Sequence, residues 1–218
     1  MCHQGAYDFD FARSLTLFSG AARTLIHQLK FGGRERLARR LGGALATPTA
    51  NGPFQQLLDF ARKPAKDAVA DPALENPWVL VPVPLHPARE RERGFNQAER
   101  MARGLVTRLR GLDPAVELQV DARGLKRTRA TAPQSGLDFR ARQDNVRNSF
   151  QAASRDRFKN RTVVLIDDVM TTGATASACA RGLKKAGAQK VMVLTVARAA
   201  PWRTAIRVNR LSVDVEGA

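Results

Sequence analysis

Apolar residues in the first third of the chain recur with helical spacing. Ala22, Leu25, Ile26 and Leu29 form one i, i+3, i+4, i+7 stripe, and Phe54, Leu57, Leu58 and Ala61 form another. Leu37, Leu41, Ala44 and Leu45 mark a third stripe after the Gly32-Gly33 break. The pattern predicts a helical segment over residues 1–62. Pro64, Pro72 and Pro77, set among mixed charges, predict a linker over 63–77.

A different rhythm starts at Trp78. Val79-Leu80-Val81-Pro82-Val83 is a short apolar run of the buried-strand type. A polar loop follows, and then a helix carrying Ala98, Met101, Ala102, Leu105, Val106 and Leu109. Val116–Val120 alternates weakly, as a strand can. Arg123–Arg147 keeps no period and holds seven basic residues against Asp138 and Asp144. Such a long connection in a compact domain points to a functional or mobile loop.

Val163-Val164-Leu165-Ile166 is apolar on both faces, the mark of a central parallel strand. A turn leads into a helix with Ala176, Cys179, Ala180 and Leu183 on one face, closed by Gly187. Val191–Val196 is a second apolar strand. This βαβ unit predicts an α/β fold, a mostly parallel sheet flanked by helices, with an N-terminal helical segment. The core spans 78–199, and 200–218 is a tail without a readable pattern.

Composition narrows the class. The 218 residues hold 36 Lys and Arg against 20 Asp and Glu, a formal net charge of +16, which suits a polyanionic or phosphorylated partner. Cys2 and Cys179 cannot build a disulfide framework, so a reduced, cytoplasmic setting is expected. No apolar run approaches the roughly 18 residues of a membrane span. The first residues lack a signal-peptide pattern.

The chemistry concentrates in Val163-Val164-Leu165-Ile166-Asp167-Asp168-Val169-Met170-Thr171-Thr172-Gly173-Ala174-Thr175. Ligands of open α/β sheets gather at the carboxyl ends of strands, where Asp167 and Asp168 stand. Adjacent carboxylates offer acceptors for vicinal hydroxyls. The Thr171–Thr175 turn opens a helix, so its N–H groups, dipole and hydroxyls suit an anion, and Gly173 permits close backbone approach. Together they describe a ribose 5-phosphate. A Walker B strand would need a phosphate loop of the form G-x-x-x-x-G-K-[ST], which the sequence lacks. A receiver-type phosphoacceptor strand fits poorly with an acidic pair so late in the chain.

That run resembles the thirteen-residue signature of type I phosphoribosyltransferases. Two further blocks resemble the ComF/GntX family. One is Val81-Pro82-Val83-Pro84-Leu85-His86-Pro87 with Arg89, Arg91, Arg93, Gly94, Phe95, Asn96 and Gln97. The other comprises Leu125, Arg127, Thr131, Gln134, Leu137, Arg142, Asn145 and Phe150. His27-x-x-Lys30-Phe31-Gly32 is also shared. The resemblance implies a type I phosphoribosyltransferase fold that binds 5-phosphoribosyl 1-pyrophosphate. Asp167 and Asp168 would hold the ribose hydroxyls, and Thr171, Thr172, Gly173, Ala174 and Thr175 the 5-phosphate. Val83, Pro84 and Leu85, with Arg89, Arg91 and Arg93, would form the pyrophosphate loop, whose prolines make a cis bond accessible. The three arginines would share one side of an extended loop but spread around a helix. Arg127 would act with the acids, and Thr131, Gln134, Arg142 and Asn145 would lie in a hood closing over the sugar. Mg²⁺, held mainly through substrate oxygens, would neutralise the leaving pyrophosphate.

The family commonly starts with a cysteine-rich zinc module, but here Cys2 and His3 are the sole candidate ligands before residue 20, so no zinc is expected. Cys179 reads as a packed core residue. His27 and His86 read as structural, His86 having the better case for a role in the loop. Two functions compete: a phosphoribosyltransferase, or a non-catalytic factor that senses the same ligand or binds single-stranded DNA during natural transformation. The net charge favours the DNA reading. An aromatic content of 6%, with Phe139 alone in the basic loop, disfavours it. Type I relatives often form homodimers, and that assembly is expected by resemblance alone.

Overall fold

The computed structural model describes residues 7–31, 33–47, 78–114, 118–128 and 149–199. Five strands form one parallel sheet in the spatial order β1-β7-β6-β2-β3. They are β1 (Phe11–Leu17), β2 (Val79–Pro82), β3 (Gln119–Val120), β6 (Thr162–Met170) and β7 (Lys190–Arg198). A small antiparallel pair, β4 (Leu125–Arg127) with β5 (Phe150–Ala152), stands apart. Five helices complete the described chain: α1 (Gly20–Phe31), α2 (Glu35–Ala44), α3 (Pro87–Arg93), α4 (Gln97–Leu112) and α5 (Ala174–Lys185).

Alternation along the strands divides the core in two. Leu80, Val164, Ile166, Met192 and Leu194 face α1, α2 and α4, where they pack with Ile26, Leu29, Met101 and Leu105. Val79, Val81, Val163, Leu165, Val191 and Val193 face α5 with Cys179, Leu183 and Phe158. A parallel sheet buried on both faces accounts for the continuous apolar runs. Cys179 has no exposed surface, and burial raises its thiol well above the usual range, as a packed residue requires.

Residues 11–17 form a strand, not part of a helical segment, and β1 pairs in parallel with β7 from Phe11↔Met192 to Leu17↔Arg198. The strand lies at the sheet edge with its residues half-buried or exposed, so its sequence carries no strong alternation. Long-range pairing settles its form. The helical stripes do fold as α1 and α2. The third stripe, Phe54–Ala61, and the linker over 63–77 lie outside the described residues.

A short strap before β1 ties the chain start to α5. The Asp8 amide donates to Ser177 Oγ at 3.0 Å, and Arg181 donates to the Asp8 carboxylate at 2.7 Å. Asp10 pairs with Lys184 at 2.8 Å and accepts from the Val191 amide. Ser177, Arg181 and Lys184 are spaced i, i+4, i+7, so one face of α5 holds the strap. Burial alone would raise the Asp8 carboxyl, but the Arg181 and Ser177 hydrogen bonds outweigh it and hold the group below the usual range.

Candidate functional site

The chain leaves β2 for β3 on one side and leaves β6 for β7 on the other, through helices on opposite faces. The gap between the carboxyl ends of β2 and β6 is therefore the topological switch point, where open α/β sheets bind ligands. Pairing between the two strands stops at Pro82↔Ile166, while β6 continues beside β7 to Met170. Asp167 and Asp168 are the first residues of β6 beyond that divergence.

The pair splits across the sheet because successive side chains alternate. Asp167 points to the α5 side, where the charges of Arg127 on β4 and of Asp168 act on it. Arg127 in turn feels Asp167 and Arg89, so parts of all three sequence blocks share one electrostatic neighbourhood. The Arg127 guanidinium lies 5.5 Å from the Phe150 ring centroid, and its burial lowers its proton affinity. Burial, and then the Asp168 charge, push the Asp167 carboxyl up to about 7. Its Oδ1 accepts the Asp168 amide at 2.8 Å.

Asp168 points to the other face and is only 3% exposed. Its Oδ2 accepts from Lys30 Nζ of α1 at 3.1 Å and from Gln97 Nε2 of α4 at 3.4 Å. The sequence reading offered both carboxylates to a diol; the structure leaves Asp167 facing the crevice and engages Asp168 inside. Lys30 is a residue that sequence reasoning did not place in the site, although its His27-x-x-Lys30 setting was a visible signal. Lys30→Met strips a buried carboxylate of its cation, a change that costs about 3–5 kcal/mol for a fully buried pair and less here, where the lysine is 29% exposed. The expected result is a lowered unfolding midpoint that Asp168→Asn partly restores in the double variant; additive losses would contradict it.

The Thr171–Thr175 turn follows β6 directly. Gly173 caps α5 at φ 78°, in the left-handed region, and accepts the Ser177 amide through its carbonyl at 2.8 Å. Thr171 is exposed, and Thr172 and Thr175 are half-buried. Beneath the turn, Asp167, Met170, Gly173, Ala174 and Thr175 help line a cavity of about 20 Å³. That is room for a single water, so an anion would meet the turn at its mouth. Tyr7 of the strap, a second residue that sequence reasoning missed, donates from its hydroxyl to the Thr172 carbonyl at 3.0 Å. Its ring lies against Gly173, where a Cβ would come within 2.9 Å of Tyr7 Cε1. No local pattern links positions 165 apart.

The residues expected to form a pyrophosphate loop divide. Val83 is buried, and its amide donates to the Ile166 carbonyl at 2.9 Å, which seats the 83–85 segment against β6. Asn96 caps α4, accepting from Ala98 N, and donates to the Val83 carbonyl at 3.1 Å. Among the described residues no peptide bond is cis. Arg89, Arg91 and Arg93 do not share one side of an extended loop; they sit on α3 and spread around it. Arg89 pairs with Glu92 at 2.8 Å, and Arg93 donates to Gln97 Oε1 at 3.1 Å. Pro87 in the first turn, His86 as cap and Gly94 at φ 79° define that helix. His86 accepts the Ala88 amide through Nδ1 at 3.3 Å, a structural task. His27 is exposed on α1. Thr131, Gln134, Arg142 and Asn145 lie outside the described residues.

A switch-point crevice with a carboxylate and a helix-opening threonine turn, and with the charge of Arg127 acting on that carboxylate, marks the candidate site of this α/β protein. Residues 65–209 match the family model described as a phosphoribosyl transferase domain. The chain is 37% identical over 136 residues to Competence protein F of Haemophilus influenzae, covering 62% of this chain and 56% of that protein. It is 33% identical over 174 residues to the DNA utilization protein YhgH of Escherichia coli, covering 80% of this chain and 66% of that one. It thus spans between about half and two thirds of the length of these relatives. Among solved structures, a hypoxanthine phosphoribosyltransferase from Staphylococcus aureus is similar at 14% identity and a TM-score of 0.38, over 75% of this chain and 64% of that one. The chain belongs to the ComF-like family of type I phosphoribosyltransferases.

Proposed function

We propose that the protein binds 5-phosphoribosyl 1-pyrophosphate at the β2/β6 crevice and displaces pyrophosphate from C1 of the ribose. The observation that carries this reading is Asp167, half-buried beside the Thr171–Thr175 turn, with Arg127 in electrostatic reach of it and Arg89 in reach of Arg127. The 5-phosphate would meet the α5 N-terminus, where backbone N–H groups and the threonine hydroxyls converge. The Asp167 carboxylate would accept from the ribose hydroxyls. Asp168, held by Lys30 and Gln97, would fix the strand end rather than touch the sugar. Arg89 and Arg127, whose forks suit phosphate oxygens, would receive the pyrophosphate as negative charge grows on it.

In the reaction the C1–O bond to pyrophosphate breaks and takes its electron pair, and positive charge builds on the sugar as in glycoside cleavage. A nucleophile then bonds to C1, and its proton leaves to pyrophosphate or solvent. Among the described residues no three His, Cys, Asp or Glu side chains gather to cage a metal. One crevice-facing carboxylate nonetheless suits Mg²⁺, which keeps waters and substrate oxygens as most of its ligands. Bound there through Asp167 and the substrate, it would supply charge neutralisation of the leaving group.

A second reading rests on Asp168 being already satisfied and His86 being spent as a cap. The protein would then sense the same ligand without turnover, or bind single-stranded DNA. The names of its relatives, which concern competence and DNA utilization, point to a role in DNA uptake. Calorimetry with 5-phosphoribosyl 1-pyrophosphate and Mg²⁺, paired with a pyrophosphate-release assay over a metabolite pool, separates the readings. Binding with release supports the enzyme, and binding without release the sensor. Absence of binding overturns the site.

A further inference from the structure

The α1–α2–α4 face of the molecule carries an unusual charge balance. Residues 33–47 and 97–112 contain eight arginines, two glutamates and no lysine or aspartate. The two acids are consumed locally: Glu35 pairs with Arg39 at 3.1 Å and with Arg100 at 3.2 Å, and Glu99 pairs with Arg103 at 2.8 Å. Arg110 donates to the Leu118 carbonyl. Arg36, Arg40 and Arg108 are exposed and have no ion-pair or hydrogen-bond partner among the described residues.

These three form one stripe. Arg36, Arg40 and Gly43 follow at i, i+4 and i+7 on α2, so they share a face. A Cβ placed on Gly43 would lie 3.7 Å from Arg108 Cβ, which sets Arg108 of α4 at the end of that face. Like charges at i, i+4 oppose helix formation, so the arrangement is unfavourable for α2 by itself. Beside the stripe, an open groove of about 840 Å³ runs between α1 and α2, lined by Arg34, Arg36, Arg39 and Arg40, by the ion-paired Glu35, and by half-buried Leu25 and Leu37.

We infer that this groove and stripe bind the backbone of a single-stranded nucleic acid without regard to its sequence. A concave groove lined by guanidinium forks, with short apolar patches between them, matches how such proteins track a strand, and arginine planes can stack on bases where aromatics are absent. The inference rests on the reading that DNA is a partner of this protein and adds where the strand would lie, away from the phosphoribosyl crevice.

The test is fluorescence anisotropy of a labelled thymidine homopolymer titrated with the full chain, across a salt series. R36E/R40E/R108E should weaken binding about tenfold or more. The log–log salt slope should fall by roughly 2, at about 0.7 per phosphate contact on a single strand. The thermal midpoint should hold, and R36Q/R40Q/R108Q, expected to weaken binding in the same direction, decides if the reversed variant does not fold. Wild-type binding that neither variant weakens overturns the surface assignment alone. No wild-type binding at low salt overturns it together with the DNA reading. Duplex DNA or anionic phosphatidylserine vesicles binding as tightly as the homopolymer overturns the choice of a single strand.

Discussion

Asp167→Asn should bind 5-phosphoribosyl 1-pyrophosphate far more weakly than the wild type and yet unfold at a higher temperature above neutral pH. The first effect follows from removing the crevice-facing charged acceptor: a hydrogen bond to a charged group contributes about 1.5–3 kcal/mol, or roughly 10–150-fold in affinity. The second follows from linkage. Burial and the Asp168 charge raise the folded-state value of Asp167 to about 7 from 3.8. Between those values the native state binds more protons than the unfolded chain, so stability falls as pH rises through this window. Asparagine carries no such dependence. The midpoint difference between variant and wild type should therefore grow between pH 5 and pH 8. A flat or inverted difference would show that Asp167 is not held in a charge-averse setting. Unchanged calorimetric affinity would remove it from the ligand site.

Gly104→Ala should lower the unfolding midpoint by about 10 °C or leave no soluble protein. A Cβ at Gly104 would stand 2.1 Å from the Arg39 carbonyl oxygen, and one at Gly42 would stand 2.0 Å from that of Met101. Backbone thus meets backbone where α2 crosses α4, and no rotamer relieves the clash. Overpacking costs typically 1–3 kcal/mol and more where nothing can yield, and each kcal/mol moves the midpoint by about 2–4 °C in a domain of this size. Gly111→Ala, with nothing within 4 Å of its added Cβ, is the control. Its small effect should contrast with that of Gly104→Ala in the same calorimetric scan. Equal behaviour of the two variants would mean that the helices cross further apart.

The βαβ unit was legible because it is local. Val163–Ile166, the acid pair and the threonine turn lie within thirteen residues, and a strand buried on both faces must be apolar throughout. The order strand, turn, helix then places the acids at a carboxyl end without further information. The same holds for the helical stripes of α1, α2 and α4. Elements whose form depends on distant partners were not legible. β1 is read as helix from its neighbours because its half-exposed edge gives no alternation, and α3 was obscured by a loop reading of its arginine spacing despite Pro87 and Gly94.

The amino-acid sequence alone determined the α/β class, the family and the strand–turn–helix run from Val163 to Thr175, since these depend on periodicity and on motifs read within short windows. Only the tertiary structure decided where the two acids stand and what they touch. Strand alternation sends Asp167 to the crevice and Asp168 into the protein, and the lysine that satisfies Asp168 lies 138 positions earlier, on a helix packed over the opposite face. The tyrosine over the Thr171–Thr175 turn and the arginine stripe across α2 and α4 have the same origin. Charges and hydroxyls act over a few ångströms of space, and separation along the chain does not encode that distance.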